Sequence, residues 1–320
     1  MESTVKEAHK RNRNPKYKQR YRVTNWPEYD RSLRNRGDIT LWFSEEAIQA
    51  WAPKHNGKQG RPQKFSDLAI ETVLTLRLVF HLPLRQAEGF VHSLLSMMGL
   101  KLQTPDHTTL SRRSSSLKPI LFHRACSAPP LHLIVDSTGL SIHGEGPWSS
   151  GKKRRRGWRK LHIMVDEDGS IRSSCVSKWY TRDGSRVPHL LDGFDGDIAS
   201  LTGDRGYDQR SVYRSVAKKN RGAATVIHPR SNAIVSRTDE WRQRDRHVHK
   251  IRREGVETWR RESGYYRQST VENTFYRYKT IIGRRLRARG EAARQVEAAI
   301  ACKILNGFLE QGRPESVSVA

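Results

Sequence analysis

The first strong apolar pattern in this chain runs from Ser66 to His81, where SDLAIETVLTLRLVFH is apolar on almost every side. That pattern predicts a buried helix, capped by Ser66 or Asp67. Pro83 ends the run, and Leu84, Ala87, Val91, Leu94, Leu95 and Met98 return at helical spacing as far as Gly99, a plausible C-cap. Thr104 to Arg113 predicts a further capped helix that carries Arg112 and Arg113. Two short consecutive helices, the second starting polar and basic, suit a helix-turn-helix, and a plain helical bundle fits the same pattern.

Pro119, Pro129 and Pro130 mark a boundary, after which the period changes. Leu131 to Asp136 is a short apolar run that predicts a buried strand, followed by strands at Leu161–Val165 and Ile171–Tyr180 across the turn signal Asp166-Glu-Asp-Gly169. A short helix near His189–Phe194, a strand at Ile198–Thr202, a helix at Gln209–Lys219 and a strand at Ala223–Ile227 come next. A charged segment covers 230–261, and helices at Ser269–Ile282 and Glu291–Phe308 close the pattern. Three antiparallel strands, then alternating helix and strand, predict a mixed α/β domain resembling the ribonuclease-H fold.

Composition adds one strong constraint. The 320 residues hold 59 Lys+Arg against 33 Asp+Glu, a formal net charge of +26. So basic a chain attracts polyanions, and nucleic acid is the usual one, although a ribosomal-type protein or a membrane-surface binder shares the charge. Cys126, Cys175 and Cys302 stand far apart with no zinc-ligand spacing, and their odd count argues against a disulfide framework. No uncharged apolar run approaches the roughly 20 residues of a membrane helix, and the basic N-terminal stretch lacks the apolar centre of a signal peptide, so a cytoplasmic location is expected. His143, His162 and His189 show no metal-ligand spacing and are expected to be ordinary core or surface histidines.

Candidate chemistry begins with acids at strand ends. Asp136 precedes Ser137-Thr138-Gly139, and Asp204 precedes Arg205-Gly206-Tyr207, each at the end of an expected strand. A carboxylate there is expensive unless something pairs with it, and a divalent metal ion does so. Each acid taken alone is also consistent with a turn or cap residue. Glu272 lies within an expected helix on which Val271, Phe275, Tyr278 and Ile282 form one apolar stripe. Gln268, Glu272 and Lys279 share a sector roughly 70° from that stripe, at the edge of the core, so Lys279 points the same way as the acid and is placed to meet a phosphate. The steps from Asp136 to Asp204 and from Asp204 to Glu272 are each 68 residues. Lys152, Lys153, Arg154, Arg155 and Arg156, with Trp158, Arg159 and Lys160, fall between the first two strands, as a DNA-gripping rim or a solvated charge run. The charged segment at 230–261, with Trp241, His247, His249 and Trp259, is expected to face DNA, or to be a disordered loop.

These residues, in this order, resemble the insertion-sequence-five type of DDE transposase over nearly the whole chain. Asn25-Trp26-Pro27-Glu28-Tyr29-Asp30, with Leu33, Arg36-Gly37 and Trp42, is similar to that group's N-terminal signature. Asp136-Ser-Thr-Gly-Leu140, Gly144-Glu-Gly-Pro-Trp148 and Trp158-Arg-Lys-Leu-His162 with Asp166 resemble its first catalytic block, and Gly203-Asp204-Arg-Gly-Tyr-Asp208 the second. Gly264-Tyr265-Tyr-Arg-Gln-Ser-Thr-Val-Glu272, with Phe275, Arg277, Lys279 and Gly283, resembles the third, and Arg285-Leu-Arg-Ala-Arg289, Gln295, Glu297 and Asn306 continue it.

The resemblance implies that Asp136, Asp204 and Glu272 are the catalytic and metal-binding acids, with Mg²⁺ as cofactor, Mn²⁺ able to substitute, and no nucleotide required. It implies double-stranded DNA as partner, both terminal inverted repeats and target, with a homodimer on DNA and no membrane. Arg205, Tyr265, Arg267, Gln268 and Lys279 join the basic rim as expected DNA contacts. Gln268 stands where the group commonly has arginine, which keeps a hydrogen-bond donor and loses the charge and the bidentate phosphate geometry. The expected layout is a flexible basic arm at 1–24, a helical DNA-binding or dimerisation domain at 25–125, a ribonuclease-H-like catalytic domain at 126–312 with the insertion at 230–261, and a tail at 313–320. An inactive or domesticated DNA-binding copy, or a nuclease of the same fold, are the alternatives.

Overall fold

The structure is a computed structural model, and it describes residues 20–53, 63–119, 129–144, 157–236, 238 and 241–319. The chain divides into two compact units, one of Met1–Asp38 with Glu310–Ala320 and the other of Ile39–Leu309. In the first, strand β1 (Arg20–Val23) pairs antiparallel with β8 (Ser316–Val319), and helix α1 (Trp26–Asn35) follows β1. Residues 20–23, expected in a flexible arm, and 316–319, expected in a tail, are therefore paired strands. The Asn25 amide ties them further, donating to Arg313 O at 2.9 Å and accepting from Glu315 N at 2.7 Å.

The second unit opens with helices α2 (Glu45–Gln49), α3 (Asp67–Val79), α4 (Leu84–Met97) and α5 (His107–Arg113). Ser66 caps α3 through Ala69 N at 3.0 Å, as expected from the sequence, and Asp106 caps α5 through the Thr108 and Thr109 amides. The sheet consists of β2 (Leu131–Ile142), β3 (Trp158–Val165), β4 (Ile171–Lys178), β5 (Ile198–Gly203) and β6 (Ala224–Ile227) in the order β4-β3-β2-β5-β6, with the short β7 (Arg285–Leu286) beside the far end of β2. β2, β3 and β4 are antiparallel neighbours, while β5 and β6 run parallel to β2. Three antiparallel strands followed by alternating helix and strand is the mixed α/β arrangement expected from the strand pattern. Gly169, at φ 77°, makes the β3–β4 turn that the Asp166–Gly169 signal predicts.

Helices cover both faces. α6 (Val187–Asp192) and α7 (Arg210–Lys219) bury Leu190, Leu191, Val212 and Val216 against Leu133, Val135 and Leu201. On the other face, α10 (Gln268–Ile281) and α11 (Glu291–Gln311) pack with Ile134, Leu140, Leu161 and Ile163 in one core that also takes in Ile70, Val73, Leu76 and Val91 of α3 and α4. The predicted stripe on α10 is correct: Val271, Phe275, Tyr278 and Ile282 are all buried.

Two helices, α8 (Arg242–Glu254) and α9 (Val256–Ser263), fill most of the charged segment, where the sequence pattern predicts none. α8 is tied to the sheet by polar side chains. The Gln243 amide accepts from Thr225 N at 2.7 Å and donates to Ala223 O at 3.0 Å, so it occupies the edge of β6 as a further strand's peptide would. The opposite edge, β4, is closed in the same way by α11. Gln295 bonds both N–H and C=O of Val176, and Asn306 bonds both of Ile171. A sheet edge left bare presents unpaired backbone groups, and these three side-chain amides satisfy some of them.

Candidate active site

Asp136 is not at the end of its strand. β2 runs six residues beyond it, because Ser137, Thr138 and Gly139 interrupt the apolar run without interrupting the pairing with β3. What ends at this point is the parallel ladder with β5, whose last pair is Val135 with Gly203. Asp136 and Asp204 therefore follow adjacent partners on neighbouring parallel strands, on the carboxyl side where such sheets place their ligands. The Asp204 carboxylate accepts from Gly206 N at 2.8 Å and caps the short turn Arg205–Tyr207. Glu272 lies in the first turns of α10, which packs on β2 and β3.

Electrostatics ties the acids together. Burial pushes the Asp136 carboxyl up to about 7, and the negative charges of Asp204, Asp183 and Glu272 add to that shift. The Tyr207 phenol, buried beneath Asp136, Asp183 and Asp204, is pushed up for the same reasons. The three acids expected from the sequence thus lie in one field, and a fourth, Asp183, joins them. Sequence reasoning missed Asp183, which opens a single 3-10 turn (Asp183–Arg186) after β4 with no periodicity around it. It accepts from Ser137 Oγ at 2.8 Å and from Lys160 Nζ at 2.9 Å. Behind it, fully buried His162 bonds Ser177 Oγ through Nε2 at 2.7 Å and directs Nδ1 towards Asp183 at 3.8 Å. Burial lowers that imidazole to about 4, so it is neutral at working pH.

The donor set fits a divalent ion in kind. All its atoms are hard carboxylate oxygens, and the buried Asp136 beside three other acids is a charge excess that a dication neutralises. Among the described residues no three His, Cys, Asp or Glu side chains stand close enough to ligate one ion, so the exposed Asp204 and Glu272 side chains must turn to close the set.

The expected DNA contacts divide into several groups. Lys152 to Arg156 lie outside the described residues. Trp158 is exposed and rests its ring over Gly139, where an added Cβ would meet it at 3.1 Å. Lys160 is engaged with Asp183, Arg267 with Glu167, and Arg205 with the His228 ring at 3.0 Å, so these cations are already partnered. Tyr265 is half-buried, its phenol pushed up by burial and by Asp204. Gln268 is buried, with an Oε1 that has no hydrogen-bond partner. Arg159 and Lys279 are partly exposed, and no geometry ties Lys279 to the acids.

Of the rings in the charged segment, Trp259 is buried, Trp241 and His247 are partly buried, and His249 is exposed. Trp259 is 0% exposed, donates from Nε1 to His247 Nδ1 at 2.9 Å, and meets the rings of His228 and Tyr265. Asp208, from the second acid block, holds Arg244 at 2.8 Å and Arg230 N at 3.0 Å. The segment is thus an ordered support beside Tyr265, with Trp259 turned inward.

Asp183→Asn tests the fourth acid. Loss of a residue that orients the acids and Lys160 is expected to slow DNA cleavage about 10–100-fold with little change in DNA affinity. Removing a negative neighbour also eases ionisation of Asp136, so the acid limb of the pH–rate profile moves to lower pH. Lys160→Met is expected to slow cleavage without that downward shift. Wild-type rates in both variants, measured by plasmid or oligonucleotide nicking, would reject the assignment.

A family model described as a transposase DDE domain matches residues 127–306, and a second model of the same description matches residues 34–145. Among solved structures the chain is similar to the piggyBac transposase, seen by cryo-EM in a synaptic complex with hairpin DNA, at 13% identity over 91% of this chain and 78% of that one, with a TM-score of 0.41. The first of these matches spans more than half of the chain and all three acids, and the chain belongs to the DDE transposase family.

Proposed function

We propose that this DNA transposase cuts the ends of its element and joins the freed 3′-OH groups to target DNA at a centre formed by Asp136, Asp204 and Glu272. The observation that supports the reading is the charge field at Asp136, to which Asp204 in a strand-end turn and Glu272 in a helix both contribute. In the first step a water oxygen bonds to phosphorus, the bond to the 3′ oxygen breaks, and that oxygen leaves with a proton as a free 3′-OH. In the second the 3′-OH attacks a target phosphodiester, and the target's own 3′ oxygen leaves. Divalent ions, Mg²⁺ or Mn²⁺, held by the three carboxylates would lower the barrier by charge neutralisation at the attacking and leaving oxygens.

The chain's other groups position these acids. Gly206 N fixes one oxygen of Asp204, and Asp183 with Lys160 and Ser137 fixes the strand beside Asp136. Trp158 offers an exposed ring for stacking at the rim, and Tyr265, Gln268 and Lys279, in and just before the helix that carries Glu272, would serve as phosphate-side contacts. The net charge of +26 supports duplex DNA as partner. Two ends must be held together during joining, so the working assembly is a homodimer on terminal inverted repeats, in the cytoplasm.

The test is Mg²⁺-dependent strand transfer from a pre-cut end carrying the element's own terminus to a target plasmid. Glu272→Gln is expected to lose joining and retain binding. Cleavage without joining by the wild type would favour a nuclease. Tight binding with neither activity would favour an inactive DNA-binding copy.

A further inference from the structure

One cavity lies away from the acids. It is a groove of about 1130 Å³ between the helices α3 to α5 and the chain that follows α10. Arg77, Arg85 and Arg112 line it from the helices. Arg284, Arg285, Arg287 and Arg289 line it from the other side. Among the described residues none of these seven guanidinium groups is ion-paired with a carboxylate. The one acid in the lining, Glu297, is buried and accepts from the Arg287 and Ala288 amides. Arg77 Nε is buried with no hydrogen-bond partner, and Arg85, Arg112, Arg284 and Arg289 are exposed. Ser111 adds a hydroxyl donor to the same wall.

So much unpaired positive charge in one concavity repels itself unless an anion occupies it. Guanidinium forks with a flanking hydroxyl match the oxygens of a phosphodiester backbone. The groove's place in the fold sets where on the DNA that backbone lies. β2 leads from Asp136 to Ile142 beside the groove, and α10 leads from Glu272 to Ile282 in its wall. Six residues of strand are about 20 Å and ten residues of helix about 15 Å. At about 3.4 Å per base pair, the groove stands roughly four to six base pairs from the acids.

We propose that this groove is a second anchoring site for duplex DNA, which grips the backbone about four to six base pairs from the phosphate being cut. It rests on the transposase reading above for the position of that phosphate, while the binding itself does not depend on catalysis. A single duplex engaged at both places is held in register, so the groove would set which phosphate meets the acids.

The experiment uses the full chain in chelator, where no cleavage intervenes. Arg85, Arg112, Arg284 and Arg289 are all changed to Gln, and binding to a 30-base-pair duplex is followed against salt concentration. The expected result is weaker binding and a log–log salt slope shallower by about 0.9 for each lost phosphate contact, with the thermal melt unchanged. The same four positions changed to Lys are expected to restore most of the slope. An unchanged slope in a folded Gln variant overturns the proposal, and equal loss on single-stranded DNA overturns the duplex assignment.

Position is read with methylphosphonates placed one at a time along a duplex carrying the element's end. Sensitivity four to six base pairs from the cut, present in the wild type and absent in the Gln variant, supports the register. Sensitivity confined elsewhere overturns it. Failure of the transposase reading would show instead as absent joining in the Glu272 comparison, with the salt slopes unaffected.

Discussion

Asp136→Asn is expected to abolish strand cleavage and, in the same protein, to raise stability above pH 7 when no divalent ion is present. Both effects follow from one carboxyl group whose ordinary value of 3.8 is raised to about 7 by burial and by three acidic neighbours. A raised value means that the folded protein holds this proton more tightly than the unfolded chain does. The folded state therefore keeps its full stability from this group below about pH 4, and loses it progressively as pH rises to about 7. Three units correspond to at most about 4 kcal/mol at pH 8. Asparagine keeps the shape and cannot ionise, so it escapes that loss. Thermal melts of both proteins in chelator at pH 5 and pH 8 check the prediction: the variant's advantage should be clear at pH 8 and shrink at pH 5. Added Mg²⁺ should stabilise the wild type more than the variant, because an ion that binds only the folded state shifts the equilibrium towards it. Activity moves the other way, by a factor of at least about 10²–10³, since an electrostatic partner of the reacting centre is gone. A variant destabilised equally at both pH values would remove the argument for charge excess.

Trp259→Ala should be the most damaging single truncation among the described aromatics. The indole is fully buried, its N–H is used by His247, and its faces and edge meet His228, His247 and Tyr265. Deleting so large a buried side chain costs about 3–5 kcal/mol. The loss falls where α9 turns into the segment bearing Tyr265 and Glu272, so cleavage should decline along with stability. Trp259→Phe retains most of the packing and loses the donor to His247, for a cost of about 1–3 kcal/mol. Urea unfolding with secondary-structure and tryptophan-fluorescence probes measures both. A cost below about 1 kcal/mol for alanine would mean that α8 and α9 are held mainly by their polar ties to β6.

The sheet was legible because its strands are apolar runs between turn residues, and α10 because its stripe repeats at the helical period. The acids were legible through the blocks around them more than through spacing. Other features left no local mark. α8 carries Arg, Gln, His and Lys on most of its surface, with only Val248 and Asp245 buried, so too few apolar residues mark it as a packed helix. Its attachment depends on Gln243 and His247 meeting the edge of β6, which no residue pattern near 243 announces. β2 outruns its apolar stretch because β3 pairs with it through Ser137, Thr138 and Gly139, a tertiary cause. Asp183 gains its role from Ser137 and Lys160, 46 and 23 residues away. β1 and β8 pair across almost the full length of the chain, and neither is strongly apolar.

The amide side chains on both margins of the sheet bear on how copies of the protein meet. A β-sheet with bare margins is a template on which another copy's strand can add, and a crowded solution of such molecules drifts towards fibrous association. Gln243 on one margin, and Gln295 and Asn306 on the other, already occupy part of those backbone positions. Any pairing of protomers is thereby steered away from strand addition and left to helix faces or to shared DNA. Loss of one of these amides would then surface first as poor solubility, with the chemistry of the remaining soluble molecules intact.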